Sequence, residues 1–384
     1  MTHSLRIAFL TYSTKTRGSV MQTLYLAEAL QAMGHDVCIF ALSKDSEFCR
    51  PVSCTTRLIP SQPAPDPANI AAVVQQRIQE FVDYFEQSSE TYDCYHAQDC
   101  ISANALAILR DRHRIPYFIR TVHHIESFRN SYLQQCQDRS LVLPDHCLCV
   151  SQHWQSEIFR HYQVKATRVI NGIESHRFCP SPQSSQQIQP LKQRLHIQGS
   201  PIYLTVGGIE PRKNSIALLQ AFAQVLKTYP QAQLVIAGGD TFFDYSSYRQ
   251  QFFEVAQQLG ITDTALVLPG VIAEVDLPIL YHCASAFVFP SVKEGWGLVV
   301  MEAIAAQVPV LTSNIPPFTE FLDASQALLV DPESVAAIAQ GMMQILQPDV
   351  ARSLVQQSQS VLAQYTWARA AQMHLECYCS FSHS

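Results

Sequence analysis

The chain has 384 residues, 47% of them hydrophobic and 15% charged, with a formal net charge of −6. That length suits two domains, each with its own core, and a mildly acidic chain without a basic block offers a nucleic acid little electrostatic support, so none is expected as partner. No run approaches the ~18–20 uninterrupted apolar residues of a membrane helix. Arg6 with the four apolar residues after it is too short for a signal peptide, and a cytoplasmic chain is expected. Twelve cysteines lie scattered in apolar segments, as reduced buried thiols do. The Cys-x-Cys pairs at 147/149 and 377/379 lack the spacing of zinc or redox sites. Glycine is scarce, at 13 residues, so each position carries information.

In chain order, Leu5 to Leu10 reads as a first buried strand. A small polar loop carrying Gly18 follows. Val20, Leu24, Ala27 and Leu30 then mark a helix face closed by Gly34, and Asp36 to Ala41 is a second strand. Strand, glycine loop, helix and strand make a nucleotide- or substrate-binding half-unit, and Arg17 beside Gly18 is a candidate cation for a diphosphate. Pro60 to Pro67 reads as a loop, and Ile70, Val74, Ile78, Phe81 and Phe85 as a helix. Strands are expected from Tyr92 to Asp99 and from Pro116 to His123. The second runs out onto His123, His124 and Glu126, where side chains beyond a parallel strand project toward ligands. His146 to Val150 reads as a strand whose Ser151 caps the next helix. Asn171-Gly172 is a turn. Cys179 to Gln189, rich in Pro, Ser and Gln and without periodicity, reads as a linker.

Pro201 to Val206 opens the second half as a strand ending on Gly207-Gly208. Pro211-Arg-Lys-Asn214 then starts a helix with Ile216, Leu218, Leu219, Phe222, Val225 and Leu226 on its apolar positions. Cations belong at the other end of a helix, so Arg212 and Lys213 suggest an anion that arrives as ligand. Further strands are expected from Gln233 to Ala237, ending on Gly238-Gly239-Asp240, and from Ala265 to Leu268, running into Gly270, Val271 and Ile272. A helix from Asp276 to His282 precedes a strand from Ala286 to Pro290, and Pro309 to Thr312 and Ala327 to Val330 supply two more. Gly207, Gly208, Gly238, Gly239, Gly270, Gly295 and Gly297 all follow strands of this half, a concentration that folding needs alone do not call for. After Gly295 and Gly297, the spacing of Leu298, Met301 and Ala305 predicts a helix. A strand, a glycine turn and a helix together aim backbone N–H groups and the positive end of a dipole at a phosphate. Glu294 before that turn and Glu302 inside the helix are carboxylates, each able to accept two hydroxyls. Phosphate and hydroxyls together point to a nucleotide sugar.

Glu294-Gly-Trp-Gly-Leu-Val-Val-Met-Glu302 resembles the Glu, seven residues, Glu signature of glycosyltransferase family 4 (glycosyl transferases group 1), retaining enzymes of the GT-B fold. The His-Ala-x-Asp at 96–99, Thr121-Val-His123, Val169-Ile-Asn-Gly-Ile-Glu174 and Gly207 to Lys213 are similar to further elements of that family. The resemblance implies an α/β chain with two Rossmann-like, doubly wound parallel-sheet domains facing a central cleft. The acceptor-side domain would span 1–178, completed by a C-terminal helix over 366–384, with a linker over 179–198 and a nucleotide-sugar-binding domain over 199–365. The implied reaction is retaining transfer of a sugar from a nucleotide-sugar donor to an acceptor hydroxyl.

On the matching positions, His123, Lys213 and Glu294 form the implied catalytic set. His123 would bond the donor sugar or its phosphate, Lys213 takes the family's lysine position, and Glu294 would hold the transferred sugar. The family's arginine position is Gly208, which leaves its charge to Arg212. Glu302 would hold the ribose hydroxyls and the backbone at Val271 and Ile272 the nucleobase. Gly18, Gly207, Gly208, Gly297 and Leu298 complete the donor site. No cofactor and no metal are expected: there is no Asp-x-Asp motif, and Lys213 and Arg212 can neutralise a departing diphosphate. Donor base and sugar, the acceptor (small molecule, lipid or glycan), oligomeric state and peripheral membrane contact stay open. The alternatives are a nucleotide-sugar epimerase or a glycosyl phosphorylase on the same fold, or a non-catalytic nucleotide-sugar sensor. A Rossmann dehydrogenase is disfavoured, since no Gly-x-Gly-x-x-Gly follows the first strand.

Overall fold

The structure, a computed structural model, describes residues 4–43, 47–66, 68–239 and 245–381. Pro67, Asp240 and residues 382–384 of the expected elements lie outside the described residues. The chain divides into two compact units, Met1–Gly172 with Tyr365–Ser384, and Ile173–Gln364. Each is an α/β unit around one parallel sheet, the architecture of the GT-B fold. Among the described residues no helix is long and apolar enough to cross a membrane.

The first unit's strands are β1 (Arg6–Thr11), β2 (Asp36–Ser43), β3 (Thr55–Pro60), β4 (Cys94–Ala97), β5 (Ile119–Val122), β6 (His146–Cys149) and β7 (Thr167–Arg168). Their order is β3-β2-β1-β4-β5-β6-β7. The central strands are buried along their whole length, which is why they read as apolar runs without alternation. β3 escapes sequence reading because it lies at the sheet edge with Ile59 as its one buried residue. Helix Cys100–Asp111 escapes it for the opposite reason. It is buried nearly all round, so no apolar stripe stands out; Asp99 caps it, accepting from the Ser102 backbone N–H at 2.8 Å. Ser151 caps helix Gln152–Tyr162 through the Trp154 backbone N–H.

The C-terminal helix, Trp367–Phe381, packs on helix Gly18–Ala32, with Trp367 stacked on Tyr25 at 5.4 Å. Underneath it, His96 Nδ1 pairs with Tyr378 OH and His96 Nε2 with Thr121 Oγ1, both at 2.7 Å. His96 is thus a core histidine, and burial holds it well below its ordinary pKa. His374, fully buried with Nδ1 on the Ala370 carbonyl at 2.7 Å, is pushed down to about 4 by burial. A histidine with a depressed folded pKa favours folding above its unfolded value of 6.5. That contribution is lost as pH falls from there toward the folded value, because the unfolded chain takes the proton first. In urea unfolding below pH 6.5, wild type should therefore lose stability relative to His374→Leu by roughly 1 kcal/mol per pH unit. A gap constant across that window would mean that His374 does not carry this acid sensitivity.

The second unit's strands are β8 (Ile202–Val206), β9 (Gln233–Ala237), β10 (Leu266–Gly270), β11 (Ala286–Phe289), β12 (Val310–Ser313) and β13 (Leu328–Val330). Their order is β10-β9-β8-β11-β12-β13. Tyr203, Phe222, Phe252, Val288 and Leu311 lie in its main core. The chain leaves β8 on one side for β9 and reaches β11 on the other, so the strand order reverses between β8 and β11. In open parallel sheets, ligands bind beyond the strand ends at such a point.

Two expectations are corrected here. Most of the stretch expected as linker, 179–198, is helix Pro182–Arg194. Ser181 and Ser184 form a capping box at its start and Pro182 stands in its first turn, a combination that nucleates a helix without apolar periodicity. It packs on helix Leu277–His282 and buries Leu191. The second correction is at Pro211, where a 3₁₀ turn, Pro211–Lys213, comes before Asn214 in the left-handed region (φ 59°) and helix Ser215–Leu226 begins after it. Arg212 and Lys213 therefore precede the α-helix rather than open it.

Candidate functional site

At the β8/β11 switch point two turns are bound to each other. Lys213 N donates to the Glu210 carbonyl, closing the 3₁₀ turn. The Val292 backbone N–H donates to the Arg212 carbonyl at 2.9 Å, and Ser291 Oγ lies 2.6 Å from that carbonyl and 3.0 Å from Glu294 Oε1. Ser313 Oγ donates to the Ser291 carbonyl at 2.7 Å and ties the loop down to β12.

On this frame Glu294, 9% exposed, accepts at Oε1 from Lys213 Nζ at 2.5 Å and from Arg212 Nη1 at 3.0 Å. Arg212 Nε also reaches Glu210 Oε2 at 2.8 Å. The Lys213 ammonium sits over the Phe289 ring, 4.4 Å from its centre. Burial works against the Glu294 carboxylate, but Lys213 and Arg212 outweigh it and hold its pKa below the ordinary value. Burial, with Arg212 beside it, lowers the Lys213 pKa, and Glu294 opposes that. Two carboxylates and two cations thus neutralise one another. The expectation that Arg212 and Lys213 lack an anion is overturned: Glu210, directly before the turn, and Glu294, 81 residues from Lys213 in the chain, supply it.

Gly297, at φ 107°, is the N-cap of helix Leu298–Ala305, and no side chain caps that terminus. A Cβ at Gly297 would lie 2.7 Å from Phe318 Cε1, so both the backbone angle and the space select glycine. Trp296 beside it stacks on Phe321 at 4.7 Å. Glu302 lies one turn into this helix and accepts from Tyr281 OH at Oε2, 2.7 Å away. Burial, with the charge of Glu274 added, pushes it up to about 7, against the pull of the Tyr281 bond. The chemistry within reach is an uncapped helix N-terminus and a partly buried lysine for anions, with two carboxylates for hydroxyls.

Gly207 and Gly208 follow β8 on the same rim, with the Lys213 side chain against Gly207. Gly238 lies directly behind them: a Cβ there would stand 2.4 Å from the Gly207 carbonyl carbon. A Cβ at Gly208 would stand 2.7 Å from the Gly239 carbonyl oxygen. Backbone packed on backbone therefore requires glycine at 208 and 238, and positive φ angles favour it at 207, 270 and 297, which corrects the view that folding needs do not explain their concentration. Val271 and Ile272 follow β10 at the same strand ends, with Val271 67% exposed.

Gly18 and His123 belong to the first unit. Gly18 opens helix Gly18–Ala32 with open space around its Cα, and Arg17 Nη1 is held on Tyr12 OH. His123, partly buried beyond β5, pairs through Nε2 with Gln98 Oε1 at 3.1 Å. Burial, with His124 next to it, pushes its pKa down to about 3, so it stands as a neutral imidazole and not as a cation. His124 pairs instead with Glu126 at 3.0 Å. Ser291, Glu210, Tyr281, Glu274 and Arg177 were not singled out from the sequence. Ser291, three residues before Glu294, and Glu210, three residues before Lys213, had local signals that could have found them. Among the described residues no three His, Cys, Asp or Glu side chains cluster as metal ligands would.

Two family models match this chain, Glycosyltransferase Family 4 over residues 16–177 and Glycosyl transferases group 1 over residues 187–360. O-antigen chain mannosyltransferase B of Escherichia coli is 28% identical over 282 residues, 69% of this chain and 71% of that protein. The serotype-specific mannosyltransferase WbdA of Escherichia coli is 25% identical over 77% of this chain, which spans 36% of WbdA's own length. Among solved structures, Anabaena HepE in complex with UDP and glucose superimposes with a TM-score of 0.78 at 18% identity, covering 98% of this chain and 100% of HepE.

Proposed function

The chain belongs to the group 1, family 4 glycosyltransferases and is an enzyme that draws on a nucleotide-sugar donor, and we propose that it transfers the sugar to an acceptor hydroxyl with retention of configuration and without a metal ion. The observation that carries this reading is the Lys213–Glu294 pair at the β8/β11 switch point, beside the uncapped helix terminus at Gly297. A departing diphosphate needs positive charge that is already in place as the glycosidic bond breaks. Lys213, Arg212 and the N–H groups of the helix start at Gly297 and Leu298 supply it. Glu294 receives the transferred sugar's hydroxyls, and Glu302 the ribose hydroxyls. Because Lys213 pairs with Glu294, phosphate and sugar recognition are coupled: a phosphate that shares the Lys213 ammonium loosens its hold on Glu294, which Arg212 and Ser291 keep in place for the sugar. His123, neutral, serves as a hydrogen-bonding group toward the sugar or its phosphate. Val271 and Ile272 offer backbone groups to the base, and Gly18, Gly207 and Gly208 let ligand approach the main chain.

A thermal-shift series with UDP, GDP, ADP and their sugar conjugates, run with Mg²⁺ and with EDTA, tests the reading. Ligand at 100 times its Kd should stabilise the protein by about 2.7 kcal/mol, and one base should stand out equally in EDTA. Stabilisation that disappears in EDTA would end the metal-free proposal, and a product of inverted anomeric configuration would end the retaining one.

A further inference from the structure

Behind the helix that starts at Gly297, three side chains, Tyr281, Glu274 and Arg177, act on Glu302. Tyr281, on helix Leu277–His282, is fully buried. Its ring lies edge-on to Phe178 at 5.7 Å and tilted on Phe287 at 5.5 Å, which fixes the direction of its hydroxyl. That hydroxyl is 2.7 Å from Glu302 Oε2 and 3.2 Å from the Val299 carbonyl; with one proton to give, it donates over the shorter distance to the carboxylate. Glu274, 8% exposed, is held by Arg177, whose Nη2 lies 2.6 Å from Glu274 Oε2 and also donates to the Glu274 carbonyl. Arg177 lies in turn against the Phe178 ring.

We propose that Tyr281 is a positioning residue for the donor's cis-diol: by donating to Oε2 it fixes the carboxylate plane of Glu302 and leaves Oε1 to accept the ribose hydroxyls of a nucleoside diphosphate. The inference rests on the donor-site reading above. The other charged groups on elements packed against this helix have partners of their own. His176, next to Arg177, is exposed and paired with Glu174. Asp349 and Arg352, on helix Pro348–Leu362 packed against the Glu302 helix, are exposed and paired with each other. β11 and β12 carry no ionisable side chain. Tyr281 and Arg177 therefore favour the charged form, and burial and Glu274 oppose it.

Calorimetric titration decides between outcomes, using whichever of UDP, GDP and ADP binds wild type most tightly, with its 2′-deoxy counterpart, across the neutral pH range. Wild type should prefer the ribonucleotide and lose that preference as pH falls through about 7, where Glu302 takes a proton. Tyr281→Phe keeps both ring contacts. It should weaken the ribonucleotide roughly tenfold, the loss expected for one hydrogen bond to a charged group, leave the deoxynucleotide nearly unchanged, and move the acid limb to higher pH. Glu274→Gln should move that limb to lower pH. If wild type binds none of the three nucleotides, or Glu302→Gln keeps the ribose preference, the donor-site reading falls and this inference with it. If Glu302→Gln abolishes the preference while Tyr281→Phe retains it with an unmoved acid limb, only the positioning role is overturned. Should Tyr281→Phe not fold, the pH profiles of wild type and Glu274→Gln still decide: identical acid limbs would refute the assigned electrostatics.

Discussion

Lys213→Ala should lower kcat by roughly 10²–10³, the loss typical of removing one group that stabilises transition-state charge, with a much smaller change in KM for the donor. The structure explains why so much rests on one ammonium. It is partly buried, lies over the Phe289 ring and is held on Glu294, so its orientation is set before the reaction. In a site that excludes water, such a charge acts through a lower dielectric than a surface lysine. Arg212 adds to this charge but does not replace Lys213, since its guanidinium is shared between two carboxylates, Glu210 and Glu294, and Lys213 faces one. Steady-state rates with a fixed acceptor decide the matter, with the variant's melting temperature as a check on folding. A drop below about fivefold would remove Lys213 from the chemistry, a far smaller loss than oxyanion-type contacts usually show.

Gly238→Ala should destabilise the second unit by roughly 3 kcal/mol, at the upper end of what overpacking costs, a fall in melting temperature on the order of 6–12 °C for a unit of this size. Its added methyl would stand 2.4 Å from both the carbon and the oxygen of the Gly207 carbonyl and 2.8 Å from Gly208 N. All three are main-chain atoms, with no flexible side chain to yield. Relief requires the turns after β8 and β9 to part, which strains the bonds from Gly207 N to the Ala237 carbonyl at 2.7 Å and from Gly238 N to the Gly270 carbonyl at 2.9 Å. The Lys213 side chain lies against Gly207, so activity should fall as well. Gly18→Ala is the contrast. With open space there and a helical backbone, it should leave the melting temperature unchanged or slightly raised. Equal effects from the two substitutions would refute the claim that backbone contact, rather than glycine as such, matters at 238.

Much of the fold and of the candidate site was legible in the sequence because its signals are local. Parallel strands covered on both faces read as short apolar runs, and β1, β2, β8, β9 and β11 were expected at or near their observed positions. Glu294, Gly297, Leu298 and Glu302 lie within nine residues of one another in the chain, so the strand, turn and helix that carry them form a single segment whose geometry follows from its own periodicity. The edge strand β3 and helix Pro182–Arg194 were not legible. One exposes most of its side chains and the other buries a single leucine, and periodicity registers nothing without an apolar face.

By itself, then, the sequence determined which segments are buried, which residues carry charge and hydroxyl-accepting groups, and the motif that places two of those carboxylates on either side of one glycine turn. The tertiary structure alone decided which of them meet. β11 lies beside β8, with Ala286 paired to Tyr203, and only that neighbourhood brings Glu294 onto Lys213 and Arg212 and turns two seemingly unmatched cations into a neutral cluster. In the same way Tyr378 reaches His96 across 282 residues of chain, and Tyr281 reaches Glu302 from a separate helix. The physical reason is that hydrophobic burial leaves its imprint along the chain at the period of each element. Charge pairing and desolvation act through space, over a few ångströms, between residues that only the packed sheet brings together.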